Sequence, residues 1–113
     1  FLPRIAGTAR ALGLTMLGDK LDAETAAQWG LIWRCCDDQD LMPESRNLAV
    51  RLAGMPTLAL GLIKKQIRGS VQNNLVQQLE LETELQERAS RSHDHREGVA
   101  AFLEKRPPRF TGR

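Results

Sequence analysis

Apolar residues recur in short runs at helical spacing, and a glycine or proline closes almost every run. Over Thr8–Leu17, Ala9, Leu12 and Met16 share a face, with Thr8 as a cap and Gly18 as a stop. Asp22 caps a short helix over residues 23–29, with Glu24 in its first turn and Gly30 behind it. Pro43 suits the first position of a helix over residues 43–53, where Leu48, Ala49 and Leu52 join Leu41 on one side before Gly54. The next helix covers residues 56–68. It aligns Ala59, Leu62, Ile63 and Gln66, carries Lys65 and Arg68 in its last turns, and stops at Gly69. The longest helix covers residues 74–90. Leu75, Val76, Leu79, Leu81 and Leu85 form two partly overlapping apolar faces there, suited either to its own domain and a neighbour at once or to a helix gripped on both sides by its own fold. Ser92 or Asp94 caps the last helix, in which Asp94 and Glu97 have capping-box spacing and Val99, Phe102 and Leu103 are apolar. Pro107 and Pro108 end it.

Residues 31–36, Leu-Ile-Trp-Arg-Cys-Cys, are the one good strand candidate, followed by a polar turn at Asp37, Asp38, Gln39 and Asp40. A lone strand has no ladder partner within the chain. The pattern therefore predicts a mainly α chain of about six helices and one short strand. It implies an incomplete domain, or pairing between copies.

Composition narrows the function classes. At 113 residues the chain suffices for one small domain, and its opening at Phe1 reads as a processed start or a piece of something longer. A net charge of +2 and 4% aromatics without tyrosine argue against nucleic-acid binding. The longest apolar run, residues 58–63, is too short for a membrane span, and no secretory signal is visible. Cys35 and Cys36 suit a reducing, cytoplasmic setting as buried strand side chains, since the acids beside them disfavour thiolate.

No phosphate-binding loop, dinucleotide fingerprint or nucleophile elbow is present. His93 and His95 fall on different helix faces, so no metal site is expected and a solvated helix start is preferred. Trp29 and Trp33 read as core or interface anchors, and Glu80, Glu82, Glu84 and Glu87 as a solvated or salt-bridged face. The segment from Lys105 to Arg113 holds Lys105, Arg106, Arg109 and Arg113 and no acid, flanked by Phe102 and Phe110. It would suit an anionic ligand such as a nucleotide phosphate, or merely complement a helix dipole. Composition alone prefers the second.

The terminal run from Glu97 to Gly112 nevertheless resembles the closing signature of the enoyl-CoA hydratase/isomerase (crotonase) family. Leu2-Pro3-Arg4-Ile5-Ala6-Gly7 resembles the stretch after that family's active-site loop. Leu21-Asp22-Ala23-Glu24, followed by Trp29-Gly30-Leu31-Ile32, resembles a further family segment. Within the family, residues 29–33 and 61–64 look most like the isomerases that act on ring-epoxide phenylacetyl-CoA.

The resemblance implies a spiral α/β fold of the ClpP-like type whose helical carboxy-terminal region builds a homotrimer or dimer of trimers. Residues 1–36 would end the core, and residues 37–113 would be the helical oligomerisation and CoA-contacting region. It implies an acyl-CoA thioester substrate, an oxyanion hole that stabilises an enolate, and proton transfer by carboxylates. No separate cofactor or metal is implied, because coenzyme A arrives as part of the substrate. The catalytic carboxylates and the oxyanion loop would precede Phe1, so no catalytic residue is expected in this chain. Phe102 and Lys105 match signature positions that meet the CoA moiety in the adjacent subunit, Phe102 near the adenine and Lys105 at phosphate. His95 departs from the aromatic usual at its position, and Cys35-Cys36 from Val-Val. The competing expectation is a free-standing helical interaction module without acyl-CoA activity.

Overall fold

The computed structural model describes all 113 residues. It contains seven helices and no strand: α1 Leu2–Ala6, α2 Thr8–Leu17, α3 Ala23–Gln28, α4 Asp38–Ala53, α5 Thr57–Gly69, α6 Leu75–Ser90 and α7 His93–Leu103. The chain divides into two units, Phe1–Pro43 and Glu44–Arg113. The division falls inside α4, directly after Pro43, which has no N–H to give the helical ladder.

In the first unit α1 packs on α2, with Ala6 and Ala11 buried. The short α1, with Pro3 in its first turn, was not foreseen. Gly7, not Thr8, is the cap residue of α2, and no side chain serves there. Asp22 does cap α3, accepting from the Thr25 amide at 2.7 Å and its hydroxyl at 2.9 Å. The helix closes in a Schellman turn. The amide of Leu31 reaches the Ala26 carbonyl at 2.9 Å and that of Gly30 the Ala27 carbonyl at 3.0 Å, with Gly30 at φ 76°.

Two expectations need correction here. Residues 31–36 form no strand, because nothing in the chain offers them a ladder. Trp33 is 77% exposed, with the Arg34 guanidinium 5.0 Å from its ring centre. Helix α4 begins at Asp38 rather than Pro43. Asp38 and Asp40, read as a polar turn, instead occupy the first helical turn, where carboxylates oppose the positive end of the dipole.

In the second unit α5 packs along α6, and α6 meets α7. Leu62, Leu85 and Ala101 are its buried apolar residues. Gly69 is the last residue of α5, not a stop beyond it. A Cβ there would lie 2.7 Å from Leu81 Cδ2, so glycine permits the close approach of α5 and α6. A capping box starts α6: Asn74 accepts from the Gln77 amide and Gln77 from the Asn74 amide, both at 3.0 Å.

Two apolar faces on α6 are borne out. Leu85 is buried and Leu81 half-buried, while Leu75, Val76 and Leu79 are exposed. Such open apolar surface extends along the whole chain. Residues on these helices thus lack the cover that a complete core provides. No helix is long and apolar enough to cross a membrane.

Candidate functional site

The side chains of interest gather on α7 and the tail that returns along it. Ser92 caps α7, accepting from the His95 amide at 3.0 Å. The expected capping box of Asp94 and Glu97 is therefore corrected. Both carboxylates, one turn apart, turn to the tail instead. Asp94, 2% exposed, accepts from the Thr111 amide at 2.7 Å, the Gly112 amide at 2.8 Å and the Thr111 hydroxyl at 3.2 Å. Its own amide donates to the Arg113 carbonyl at 2.9 Å. Glu97 accepts two bonds from the Arg106 guanidinium, at 2.6 and 3.0 Å, and one from the Arg109 amide at 2.7 Å. Arg106 Nε also donates to Glu104 at 2.6 Å.

The electrostatics follow the geometry. The Arg106 guanidinium, with the Arg109 amide, holds the Glu97 carboxyl down at about 2 against some opposition from burial. Glu97 and then Glu104 raise the guanidinium in return. Burial pushes the Asp94 carboxyl up, but the amides of Thr111 and Gly112 outweigh it and keep the group below its ordinary range. Arg106, counted by sequence among the cations of a basic tail, is thus paired within the chain. Lys105 is exposed, and its ammonium makes no hydrogen bond or ion pair.

The end of α7 is a second Schellman turn. The Arg106 amide reaches the Ala101 carbonyl at 3.0 Å, and the Lys105 amide the Phe102 carbonyl at 3.3 Å. Lys105 takes the left-handed position at φ 53°, the only non-glycine residue with positive φ. Glycine suits that position without steric cost, whereas a side chain there costs about 1–2 kcal/mol.

Phe102 is 83% exposed and lines an apolar groove of about 370 Å³, with Phe110, His95, Val99, Pro56 and Ala59 among its walls. Phe110 lies over Gly98, where a Cβ would stand 3.7 Å from its ring. Gly112, at φ 81°, approaches Thr57 so closely that a Cβ would meet the hydroxyl at 2.5 Å. Lys105 lies outside the groove lining, at the turn that follows Phe102. His93 lines a separate hollow with Glu97, Arg106, Pro107 and Arg109. The two histidines therefore do look to different sides of α7.

Elsewhere, Cys35 and Cys36 are half-buried beside Asp22, Glu24, Asp37 and Asp38, in irregular chain rather than a strand. Trp29 is half-buried under the Arg10 guanidinium, 4.9 Å away. The acids of α6 form the expected solvated, salt-bridged face: Glu84 pairs with Lys65 at 3.5 Å, and Glu87 pairs with Arg91. No three His, Cys, Asp or Glu side chains converge on one point.

Exposed Phe102, left-handed and unpaired Lys105 and a tail clamped by two carboxylates thus lie together at the carboxy-terminal end of the chain. The enoyl-CoA hydratase/isomerase family model matches residues 1–113. The chain belongs to the enoyl-CoA hydratase/isomerase, or crotonase, family. It is 53% identical over 112 residues to the 1,2-epoxyphenylacetyl-CoA isomerase of Escherichia coli, covering 99% of this chain and 43% of that protein. It is 33% identical to the trans-2-decenoyl-[acyl-carrier-protein] isomerase of Streptococcus mutans, again over 99% of this chain and 43% of the relative. The crystal structure of an enoyl-CoA hydratase from Bacillus anthracis superposes with a TM-score of 0.91 at 30% identity, covering 99% of this chain and 43% of that one. The chain thus spans less than half the length of these relatives, and its helices are those of a crotonase-fold protein.

Proposed function

We propose that this chain is the carboxy-terminal, oligomer-building and CoA-contacting part of an acyl-CoA isomerase or hydratase. The preferred substrate class is an enoyl- or ring-epoxide phenylacetyl-CoA thioester. The observation that supports this most is the 53% identity to an epoxyphenylacetyl-CoA isomerase. In this reading the reaction proceeds through an enolate held by backbone amides, while carboxylates upstream of Phe1 move the protons. This segment contributes no catalytic residue, and no cofactor beyond the substrate's own coenzyme A is needed.

The segment's part is binding and assembly. Phe102 offers an exposed ring to the adenine, and Lys105 an unpaired ammonium to phosphate, in each case across a boundary with the adjacent subunit. A homotrimer or dimer of trimers would cover Leu75, Val76 and Leu79, which nothing in the chain covers. The strain at Lys105 supports a ligand role, because a lysine kept where glycine is cheaper calls for a reason other than folding.

The test is turnover by the full-length gene product that carries this chain. It is expected to isomerise ring-epoxide phenylacetyl-CoA faster than it hydrates crotonyl-CoA, and the isolated 113-residue chain is expected to do neither. Full-length protein inert toward both thioesters would remove the reading. Hydration of crotonyl-CoA by the isolated chain would place catalysis where we place none.

A further inference from the structure

We infer that Glu97 is a positioning residue for nucleotide recognition, holding Lys105 in its left-handed turn by gripping the residues that follow it. This rests on the CoA role proposed for Lys105.

Lys105 sits between Glu104 and Arg106, and these two side chains are joined at 2.6 Å. Arg106 is in turn forked onto Glu97, at 2.6 and 3.0 Å, and Glu97 also receives the Arg109 amide at 2.7 Å. One carboxylate on α7 therefore anchors the chain at two points just beyond Lys105. A bidentate guanidinium–carboxylate pair fixes direction as well as distance.

A left-handed lysine is not self-sustaining. Released, it would relax toward ordinary φ and the ammonium would swing away with the backbone. Strained residues persist where their surroundings over-determine them, and for Lys105 the Glu97 network adds to the two backbone bonds of the Schellman turn. The ammonium itself is left unpaired, so the network fixes its base and leaves its charge for a ligand. Glu97 is half-buried and lines the hollow on the His93 side, away from the groove that holds Phe102. It acts on the nucleotide only through Lys105.

The test compares crotonyl-CoA with crotonyl-pantetheine, which lacks the nucleotide, as substrates of the full-length protein. The readout is the preference in kcat/KM for the CoA ester. Lys105→Ala is expected to reduce that preference about tenfold, through KM rather than kcat. Glu97→Gln should reduce it about three- to fivefold in the same way. Arg106→Lys, which keeps the charge and loses the fork, should reproduce the Glu97→Gln effect and serves if that variant folds poorly. In the Lys105→Ala background, Glu97→Gln should reduce the preference no further.

General loosening of the fold would slow both esters alike and leave the preference intact. If Lys105→Ala lowers the preference while Glu97→Gln and Arg106→Lys do not, the positioning role is wrong and the CoA contact stands. A further drop in the double variant would also overturn it, since Glu97 would then act by another route. If Lys105→Ala itself leaves the preference unchanged, the CoA contact falls and the positioning role with it.

Discussion

Gly30 and Lys105 hold the same place in the same turn, one closing α3 and the other closing α7. Each follows its helix's C-cap residue in the left-handed conformation, at φ 76° and φ 53° respectively. In each turn the next amide reaches back to the third-last helical carbonyl. Gly30 is the residue that folding alone would select. Lys105 departs from that preference, and the departure can be measured.

Lys105→Gly should therefore move two properties in opposite directions. Relief of the left-handed side chain should raise stability by about 1 kcal/mol, read from the urea midpoint of the full-length protein. Affinity for coenzyme A, read by calorimetry, should fall. Unchanged CoA affinity beside increased stability would mean that the lysine serves no ligand.

Gly112→Ala should undock the tail. Its positive φ and the 2.5 Å approach of a new Cβ to Thr57 Oγ1 act together. The cost should be about 2 kcal/mol. The check is hydrogen exchange at the Thr111 and Gly112 amides, which now donate to Asp94 and should exchange faster in the variant.

Acid should loosen the same tail late. The Glu97 carboxyl is lowered from its ordinary 4.5 to about 2, and Asp94 is lowered as well. A depressed carboxylate contributes stability that is complete above its unfolded value and lost as pH falls through the folded one. The Glu97 contribution should thus hold above pH 4.5 and fade progressively toward about pH 2. Stability followed over that window should show a shallower slope in Glu97→Gln than in the parent. Equal slopes would deny Glu97 its share.

At Gly69 helix propensity and packing disagree. Alanine is better than glycine inside a helix by about 1 kcal/mol. Its Cβ, however, would stand 2.7 Å from Leu81 Cδ2 and 3.3 Å from Asn73 Nδ2. Overpacking of this kind costs about 1–3 kcal/mol, so Gly69→Ala should lower the melting temperature despite the propensity gain. A raised melting temperature would show that α6 yields freely at this contact.

Val76→Glu tests assembly. Val76 is 64% exposed, away from the Leu81 and Leu85 side of α6 that faces the interior. The charge should leave the fold of the protomer in place and lower the mass of the proposed full-length oligomer in sedimentation. An unaltered mass would show that this part of α6 faces no neighbour.

Most of the helices were legible because their signals are local. Asp22, Ser92 and the apolar spacing of α2, α5 and α6 act within a turn or two. Residues 31–36 carry strand-like side chains, yet a strand also needs a partner that the chain does not supply, so none forms there. The start of α4 is ambiguous in the sequence because Asp38 and Asp40 suit a turn and a helix dipole equally, and Pro43 suggests a beginning where it is tolerated inside. In the candidate site, Phe102 and Lys105 are proposed on the resemblance, not on composition. Asp94 and Glu97 were read as a local capping pair. Their true donors, Thr111, Gly112, Arg106 and Arg109, lie further along the chain, beyond the reach of a spacing rule. The signal available was Arg106 directly before the two prolines, with the amides of Arg109, Thr111 and Gly112 after them.

The Arg113 carbonyl meets the Asp94 amide, and the Asp94 carboxylate meets Thr111 and Gly112. The path that leaves α7 thus comes home to its first turn, forming a loop of about twenty residues fastened by hydrogen bonds, much as a cross-link would fasten it. A covalent staple must be cut before its loop can open. This one is held by hydrogen bonds alone, so it can open and close with no bond broken in the chain.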